Sequence, residues 1–146
     1  RTLNLKTSAR NQFVGTVSGV RAGAVNDEVE LTLPGGTRLV AIVTCESTQA
    51  LGLRTGLTAF ALLKSSSVIV ATGLEGAKVS ARNQWHGTIT SVTPGAVNAE
   101  VVLDLDGGGS IGATVTQASL RELGFAPGQR ATALFKASSV ILAVAA

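Results

Sequence analysis

Apolar and polar residues alternate along four stretches of the chain, and these stretches form two matched pairs. Residues 25–33 and 97–105 place an apolar side chain at nearly every second position, which is typical of half-buried β-strands. Residues 13–20 and 85–92 are rich in β-branched and aromatic residues and alternate in part. The pattern predicts that each half of the chain folds mainly as strands.

Glycine-rich turns separate the second predicted strand of each half from the third. Residues 34–36 and 106–109 carry the proline, aspartate and glycine that favour turns between antiparallel strands. The third strand is then predicted at 38–44 in the first half and at 110–116 in the second.

A helix of one or two turns is predicted after the third strand. Thr44 or Thr116 can cap its first turn, and Gly52 or Gly124 can end it. The last pair of strands is predicted at 59–64 with 67–71, and at 131–136 with 139–144. These elements predict an all-β fold of two tandem OB-like five-stranded barrels, each with one short helix.

The two halves are copies of one sequence unit. Ser8-Ala9-Arg10-Asn11-Gln12 returns as Ser80-Ala81-Arg82-Asn83-Gln84, and the same spacing aligns the halves to the last residue without a gap. We therefore predict a leader at 1–7, a first domain at 8–72, a linker at 73–79 and a second domain at 80–146. Because a unit of about 67 residues buries only about 60% of its unfolded surface, we expect a homo-oligomer.

Composition narrows the class of protein. Apolar residues make up 45% of the chain and aromatic residues 3%, so the core must be aliphatic. The sequence contains neither the apolar run of a membrane span nor the pattern of a signal peptide. The single cysteine, Cys45, cannot form an internal disulfide, which fits a reducing compartment. We expect a cytoplasmic protein that does not enter a membrane.

Charge favours a small anion over a nucleic acid as the ligand. The net charge is +3, but the twelve basic residues are scattered and never form a run. Polar residues, all but one of them retained in both halves, supply hydrogen-bond donors, and no repeated carboxylate lies beside them, which suits an oxyanion. These donors are Ser8, Arg10, Thr44, Ser47, Lys64, Ser65 and Ser66, with Ser80, Arg82, Thr116, Ser119, Lys136 and Ser138 as their counterparts.

Other interpretations of these residues stay open. The threonines can be helix caps, the cations solvated strand ends and the serines turn residues. His86 and Cys45 are not repeated, and Glu28 and Glu100 fall where an alternating strand has its wet face, so we expect no enzyme and no catalytic cofactor. No spacing of side chains predicts a metal site.

Several repeated motifs resemble one known family. The motifs Ser-Ala-Arg-Asn-Gln, Gly-Ala-Val-Asn, Val-Thr-x-x-Ser and Lys-(Ser/Ala)-Ser-Ser-Val-Ile are similar to the molybdenum-pterin-binding (Mop) domain of the TOBE superfamily. Two copies in tandem resemble a di-Mop protein. The resemblance implies OB-like barrels that bind molybdate or tungstate, as a ligand, at interfaces between Mop domains.

The resemblance also implies which residues bind the oxyanion. It implies one wall made by Ser8, Ala9, Arg10, Lys64 and Ser65, closed by Thr44 and Ser47 from a neighbouring domain. The corresponding set in the second half is Ser80, Ala81, Arg82, Lys136 and Ala137, facing Thr116 and Ser119. Because Ala137 replaces Ser65, only a backbone N–H could serve there. A second class of site at a symmetry axis would fall at Val25, Asn26, Val97 and Asn98.

Two roles follow from the resemblance. Di-Mop proteins resemble either the ligand-sensing C-terminal part of a molybdate-dependent transcription regulator, which contacts DNA only through a separate N-terminal domain, or a free molybdate-storage protein. The leader at 1–7 favours the regulator, and the Gly-Ala-Val-Asn motif of both halves favours storage. We expect the regulator fragment, as a homo-oligomeric dimer or trimer, with storage as the alternative.

Overall fold

A computed structural model describes residues 6–74 and 76–146 of the chain. Most of the predicted leader at 1–7 lies outside the described residues, as does Glu75 within the predicted linker at 73–79. The first sequence repeat contributes five strands and a helix. These are β1 (Asn11–Arg21), β2 (Asn26–Thr32), β3 (Arg38–Thr44), α1 (Cys45–Leu51), β4 (Thr58–Leu63) and β5 (Ile69–Ala71).

The second repeat contributes the same elements in the same order. These are β6 (Asn83–Pro94), β7 (Asn98–Leu105), β8 (Ser110–Thr116), α2 (Gln117–Leu123), β9 (Arg130–Phe135) and β10 (Ile141–Ala143). A turn of 3-10 helix precedes β5 at Ser65–Ser67, and another precedes β10 at Ala137–Ser139. The predicted all-β fold with one short helix per half is confirmed.

Two five-stranded antiparallel sheets carry the fold, with strand orders β10-β4-β1-β2-β3 and β5-β9-β6-β7-β8. In each sheet the first and last strands of the order also approach each other, which curls the sheet into an OB-like barrel. The alternation in the sequence decides which side chains enter the barrel. Val29 and Leu31 on β2 are fully buried, whereas Glu28 and Glu30, which alternate with them, are half-exposed.

The prediction that the last two strands of each repeat pair with each other is wrong. β10 pairs with β4, through Ile141 opposite Leu62, and β5 pairs with β9, through Ile69 opposite Leu134. The connections from β4 to β5 and from β9 to β10 contain no glycine and no residue at positive φ, which the tightest hairpins require. The last strand of the first repeat thus belongs to the sheet of β9, and that of the second repeat belongs to the sheet of β4.

The compact units consequently differ from the sequence repeats. Among the described residues, one unit comprises 6–64 with Ala137–Ala146, and the other comprises Ser65–Lys136. We call them unit 1 and unit 2. The predicted domains at 8–72 and 80–146 follow the sequence repeat, and as structural boundaries they stay a prediction. Exchanged side chains contribute to each core, since Leu142 is buried in unit 1 and Val70 in unit 2.

The predicted helix ends are confirmed in both units. The Thr44 hydroxyl accepts a hydrogen bond from the Ser47 N–H, and Gly52 ends α1 at a φ of 65°, a value that favours glycine. Thr116 and Gly124, at a φ of 66°, do the same for α2. Neither helix in the described part of the chain is long and apolar enough to cross a bilayer.

Candidate oxyanion site

The repeated cations occupy neighbouring strand ends. The ladder between β1 and β4 ends at Asn11 opposite Leu63, so Arg10 and Lys64 take the next position on each strand, and both are exposed. Directly opposed like charges destabilise a sheet, and an anion held between them relieves the repulsion. Unit 2 repeats this arrangement: the ladder between β6 and β9 ends at Asn83 opposite Phe135, and Arg82 and Lys136 lie one position beyond this pair.

A glutamine side chain on the strand holds the backbone of the segment before each arginine. The Gln12 amide donates to the Ala9 carbonyl at 3.5 Å, and the Gln84 amide donates to the Ala81 carbonyl at 2.9 Å. Asn11 and Asn83 are buried, with 5% and 1% of their surface exposed, which anchors the strand behind the arginine. The asparagine and glutamine of the Ser-Ala-Arg-Asn-Gln motif thus support the backbone around the arginine, which accounts for their repetition together with the charged residue.

The threonine and serine at the start of each helix form a closed pair. The Thr44 hydroxyl accepts from the Ser47 N–H at 3.0 Å and donates to the Ser47 hydroxyl oxygen at 2.9 Å. Thr116 and Ser119 have the same two distances. The helix-cap interpretation is therefore correct for both threonines, while each serine hydroxyl keeps its own proton for a ligand.

The residues predicted for a second class of site lie next to the threonine that begins each helix. Asn26 is the ladder partner of Thr44, and Asn98 is the partner of Thr116. Val25 and Val97 precede them with 70% and 74% of their surface exposed. The structure thus brings Asn26 to Thr44 on β2 and β3, and brings Arg10 to Lys64 on β1 and β4; whether these two groups share a ligand stays a prediction.

The sequence analysis missed a buried carboxylate near the start of α1. Asp27, 6% exposed, accepts hydrogen bonds from the Gly23 N–H at 3.1 Å and the Cys45 thiol at 3.2 Å. The hydroxyl of Thr48, followed by these two donors, holds the pKa of Asp27 below its ordinary range. Its counterpart is Ala99, so a search for repeated residues could not find it.

A second missed residue contacts Ser65. The Ser65 hydroxyl lies 2.6 Å from the Thr114 hydroxyl on β8, and both residues are half-buried in unit 2. The counterparts in unit 1 are Ala137 and Ile42, neither of which carries a hydroxyl. Repetition again gave no signal for Thr114.

A polar notch in unit 2 is lined by His86, Arg130 and Thr132, where the first repeat has Val14, Thr58 and Phe60. Arg130 binds Asp106 through two hydrogen bonds of 2.7 and 2.6 Å, and this guanidinium holds the pKa of Asp106 below its ordinary range. His86 hydrogen-bonds to the hydroxyl of Thr132 at 2.9 Å. Because Arg130 and Asp106 neutralise each other, this notch is not a second oxyanion site. No cluster of metal-ligating side chains occurs among the described residues.

Comparison with known proteins identifies the family. The family model of the TOBE domain matches residues 7–70 and 79–142. The chain belongs to the TOBE-domain family. The two matched segments coincide with the two sequence repeats, so the chain carries two TOBE domains in tandem.

Curated relatives of this tandem TOBE chain carry names connected with molybdenum. It is 44% identical over 144 residues to the molybdenum transport protein ModE of Herbaspirillum seropedicae, across 99% of this chain and 54% of that protein. It is 47% identical over 142 residues to the molybdenum-pterin-binding protein MopA of Rhodobacter capsulatus, across 97% of this chain and 54% of that protein. The chain thus spans about half the length of these relatives.

A solved structure matches this TOBE tandem over nearly all of its length. The cytoplasmic molybdate-binding protein ModG, with molybdate bound, superposes with a TM-score of 0.93 at 48% identity. The match covers 97% of this chain and 100% of the ModG chain. The likeness confirms the predicted fold.

Proposed function

We propose that this chain binds molybdate, with tungstate as an equivalent ligand, through its two repeated sets of donors. The observation that carries the proposal is the pair of cations at the end of one ladder, Arg10 and Lys64, repeated as Arg82 and Lys136. These two pairs place two positive charges at the corresponding strand ends of both units. The molybdate in ModG, a relative at 48% identity, identifies an oxyanion of suitable chemistry.

The donor chemistry favours a fully deprotonated tetrahedral dianion. Arginine, lysine, hydroxyl and backbone N–H groups all donate, so molybdate and tungstate can accept from every side. Phosphate near neutral pH usually keeps a proton that needs an acceptor, and this set offers only hydroxyl oxygens and no carboxylate to accept it. Sulfate must be rejected by its smaller size.

We assign the same residues to the site as the resemblance implies. The wall consists of the Ser-Ala-Arg segment with the lysine and the residue after it, and the helix corner of a neighbouring domain closes it. The residues are Ser8, Ala9, Arg10, Lys64, Ser65, Thr44 and Ser47, with Ser80, Ala81, Arg82, Lys136, Ala137, Thr116 and Ser119. Val25, Asn26, Val97 and Asn98 are the candidates for a second class of site.

The proposed role is ligand sensing within a molybdate-dependent transcription regulator. The chain is 38% identical over 141 residues to the DNA-binding transcriptional dual regulator ModE of Escherichia coli, across 53% of that protein. Any contact with DNA would belong to a separate N-terminal domain. Free molybdate storage is the alternative, supported by the Gly-Ala-Val-Asn motif that both halves carry. Both roles are binding functions in the cytoplasm, without catalysis, and we expect a homo-oligomer for either.

Parallel isothermal titrations with molybdate, sulfate and phosphate test the proposal, with the assembled mass measured by light scattering. Molybdate is expected to bind, and equal binding of phosphate would overturn the selectivity argument. About one ion per chain in a dimer would support the sensor. More ions per chain in a trimer or larger assembly would support storage, and no binding of molybdate would contradict both roles.

A further inference from the structure

The hydrogen bond between Ser65 and Thr114 joins residues that are 49 positions apart in the chain. Their hydroxyl oxygens are 2.6 Å apart, which is at the short end of the range for O–H···O bonds. The contact exists because the segment after β4 leaves the first sheet and packs beside β8, the strand that carries Thr114. It is a product of the exchanged strands.

The matching pair in unit 1 is apolar. Ala137, only 3% exposed, takes the place of Ser65, and Ile42 takes the place of Thr114. Each segment therefore packs beside a strand of matching polarity. In the unexchanged arrangement the Ser65 hydroxyl would meet Ile42, and Thr114 would meet Ala137, so each hydroxyl would lose its partner.

The direction of this hydrogen bond decides whether the Ser65 hydroxyl can still donate to a ligand. Each hydroxyl has one proton and two acceptor positions. When Thr114 donates to Ser65, the Ser65 oxygen accepts that proton and keeps its own for another acceptor. A threonine within a strand is restricted at χ1, whereas a serine populates three rotamers. The bond therefore fixes the direction of the more mobile hydroxyl.

We propose that Thr114 is a positioning residue that holds the Ser65 hydroxyl ready to donate to the bound oxyanion, which makes the two repeated sites unequal. The inference rests on the proposed binding of molybdate. The site with Ser65 has an oriented hydroxyl donor in addition to backbone N–H groups. The site with Ala137 has no hydroxyl at that position and binds the ion more weakly.

Substitutions at both positions have graded effects. Ser65→Ala removes a hydrogen bond to a charged ligand and weakens the tighter class of site roughly tenfold. Thr114→Val keeps the shape of the side chain but releases the serine to three rotamers, which weakens the same class by about threefold. Thr114→Ser restores the donor and is expected to restore most of the affinity.

The test is a molybdate titration of the full chain and its variants, with the melting temperature of each variant measured alongside. The wild type is expected to show two classes of site. Thr114→Val should weaken one class and leave the other unchanged, and Thr114→Ser should rescue it. The double variant Ile42→Thr with Ala137→Ser places the hydroxyl pair in unit 1 and should strengthen the weaker class.

Each outcome has a distinct meaning. Two classes that respond as described support the proposal. Identical sites in the wild type, a Thr114→Ser variant as weak as Thr114→Val, or a double variant without gain would overturn it while molybdate binding stands. If Thr114→Val fails to fold, the double variant still tests the proposal, through a gain of affinity at the weaker class of site instead of a loss at the tighter one. No molybdate binding by the wild type would overturn the proposed function as well.

Discussion

The Cys45 thiol donates a hydrogen bond of 3.2 Å to the carboxylate of Asp27, whose side chain is buried at the start of β2. The same carboxylate oxygen accepts from the N–H of Gly23, so Asp27 ties the loop after β1 to the first turn of α1. These donors lower the pKa of Asp27, the largest cause being the Thr48 hydroxyl. The second repeat has Ala99 and Gln117 at these positions and no such tie.

Stability is therefore expected to depend on the charge of Asp27. Its folded pKa lies below the ordinary value of 3.8, so the carboxylate stabilises the fold above that pH and loses this contribution as the pH falls through the lowered pKa. Asp27→Asn should lower the melting temperature by a few degrees at pH 7. The difference from the wild type should shrink below about pH 4.

Asp104→Asn is the matched control for this measurement. Asp104 is an exposed aspartate on β7, and its substitution should leave the melting temperature unchanged at both pH values. Equal melting temperatures of Asp27→Asn and the wild type at pH 7 would show that the buried carboxylate does not stabilise the loop.

The reactivity of Cys45 is a second prediction. The hydrogen bond to Asp27 is the largest cause that raises the pKa of the Cys45 thiol above its ordinary value of 9.0. At pH 8 the folded protein should react with iodoacetamide several-fold more slowly than the same chain in denaturant, because less thiolate is present. Asp27→Asn should accelerate the reaction of the folded protein. A rate unchanged by that substitution would contradict the link.

Glycine in the Gly-Ala-Val-Asn motif is required by a close approach of the backbone. A Cβ at Gly23 or Gly95 would collide with the carbonyl oxygen of Asn26 or Asn98, whereas a Cβ at Gly19 would meet nothing within 4 Å. Gly23→Ala and Gly95→Ala should each lower the free energy of unfolding by about 1–3 kcal/mol. Gly19→Ala is the control and should be neutral or stabilising; equal losses in all three variants of a denaturant titration would argue against the collision.

Cleavage of the linker tests the exchange of strands. A site for a specific protease inserted between Ala77 and Lys78 divides the chain into one fragment with β1–β5 and another with β6–β10. Because β5 pairs with β9 and β10 pairs with β4, the cut fragments should elute together in size-exclusion chromatography and separate only in denaturant. Fragments that separate under native conditions would contradict the exchanged topology.

The sequence predicts those features of the fold that local patterns determine. Alternation identifies β2 and β7, and the threonine and glycine signals locate both ends of α1 and α2. The partner of β5 could not be predicted, because a three-residue strand carries the same alternation whichever neighbour it pairs with. Within the sequence itself, the exchange of strands is reflected only in complementary pairs such as Ser65 with Thr114.

The candidate site was predictable to the extent that duplication retained it. Arg10, Lys64 and their counterparts stand out because both copies keep them. Asp27 and Thr114 act in one unit only, opposite Ala99 and Ile42 in the other copy, so the criterion of repetition excludes them. Residues that distinguish the two sites require the three-dimensional contacts.

The most direct test of the central claim compares molybdate affinity after removal of each site lysine. Lys64→Ala and Lys136→Ala remove one cation from each repeated pair, and Lys78→Ala removes an exposed lysine of the linker as the control. Each site variant should weaken one set of sites by roughly tenfold or more, since a charge-assisted hydrogen bond contributes about 1.5–3 kcal/mol. The control should bind as the wild type does. Site variants that bind molybdate as tightly as Lys78→Ala would contradict the account.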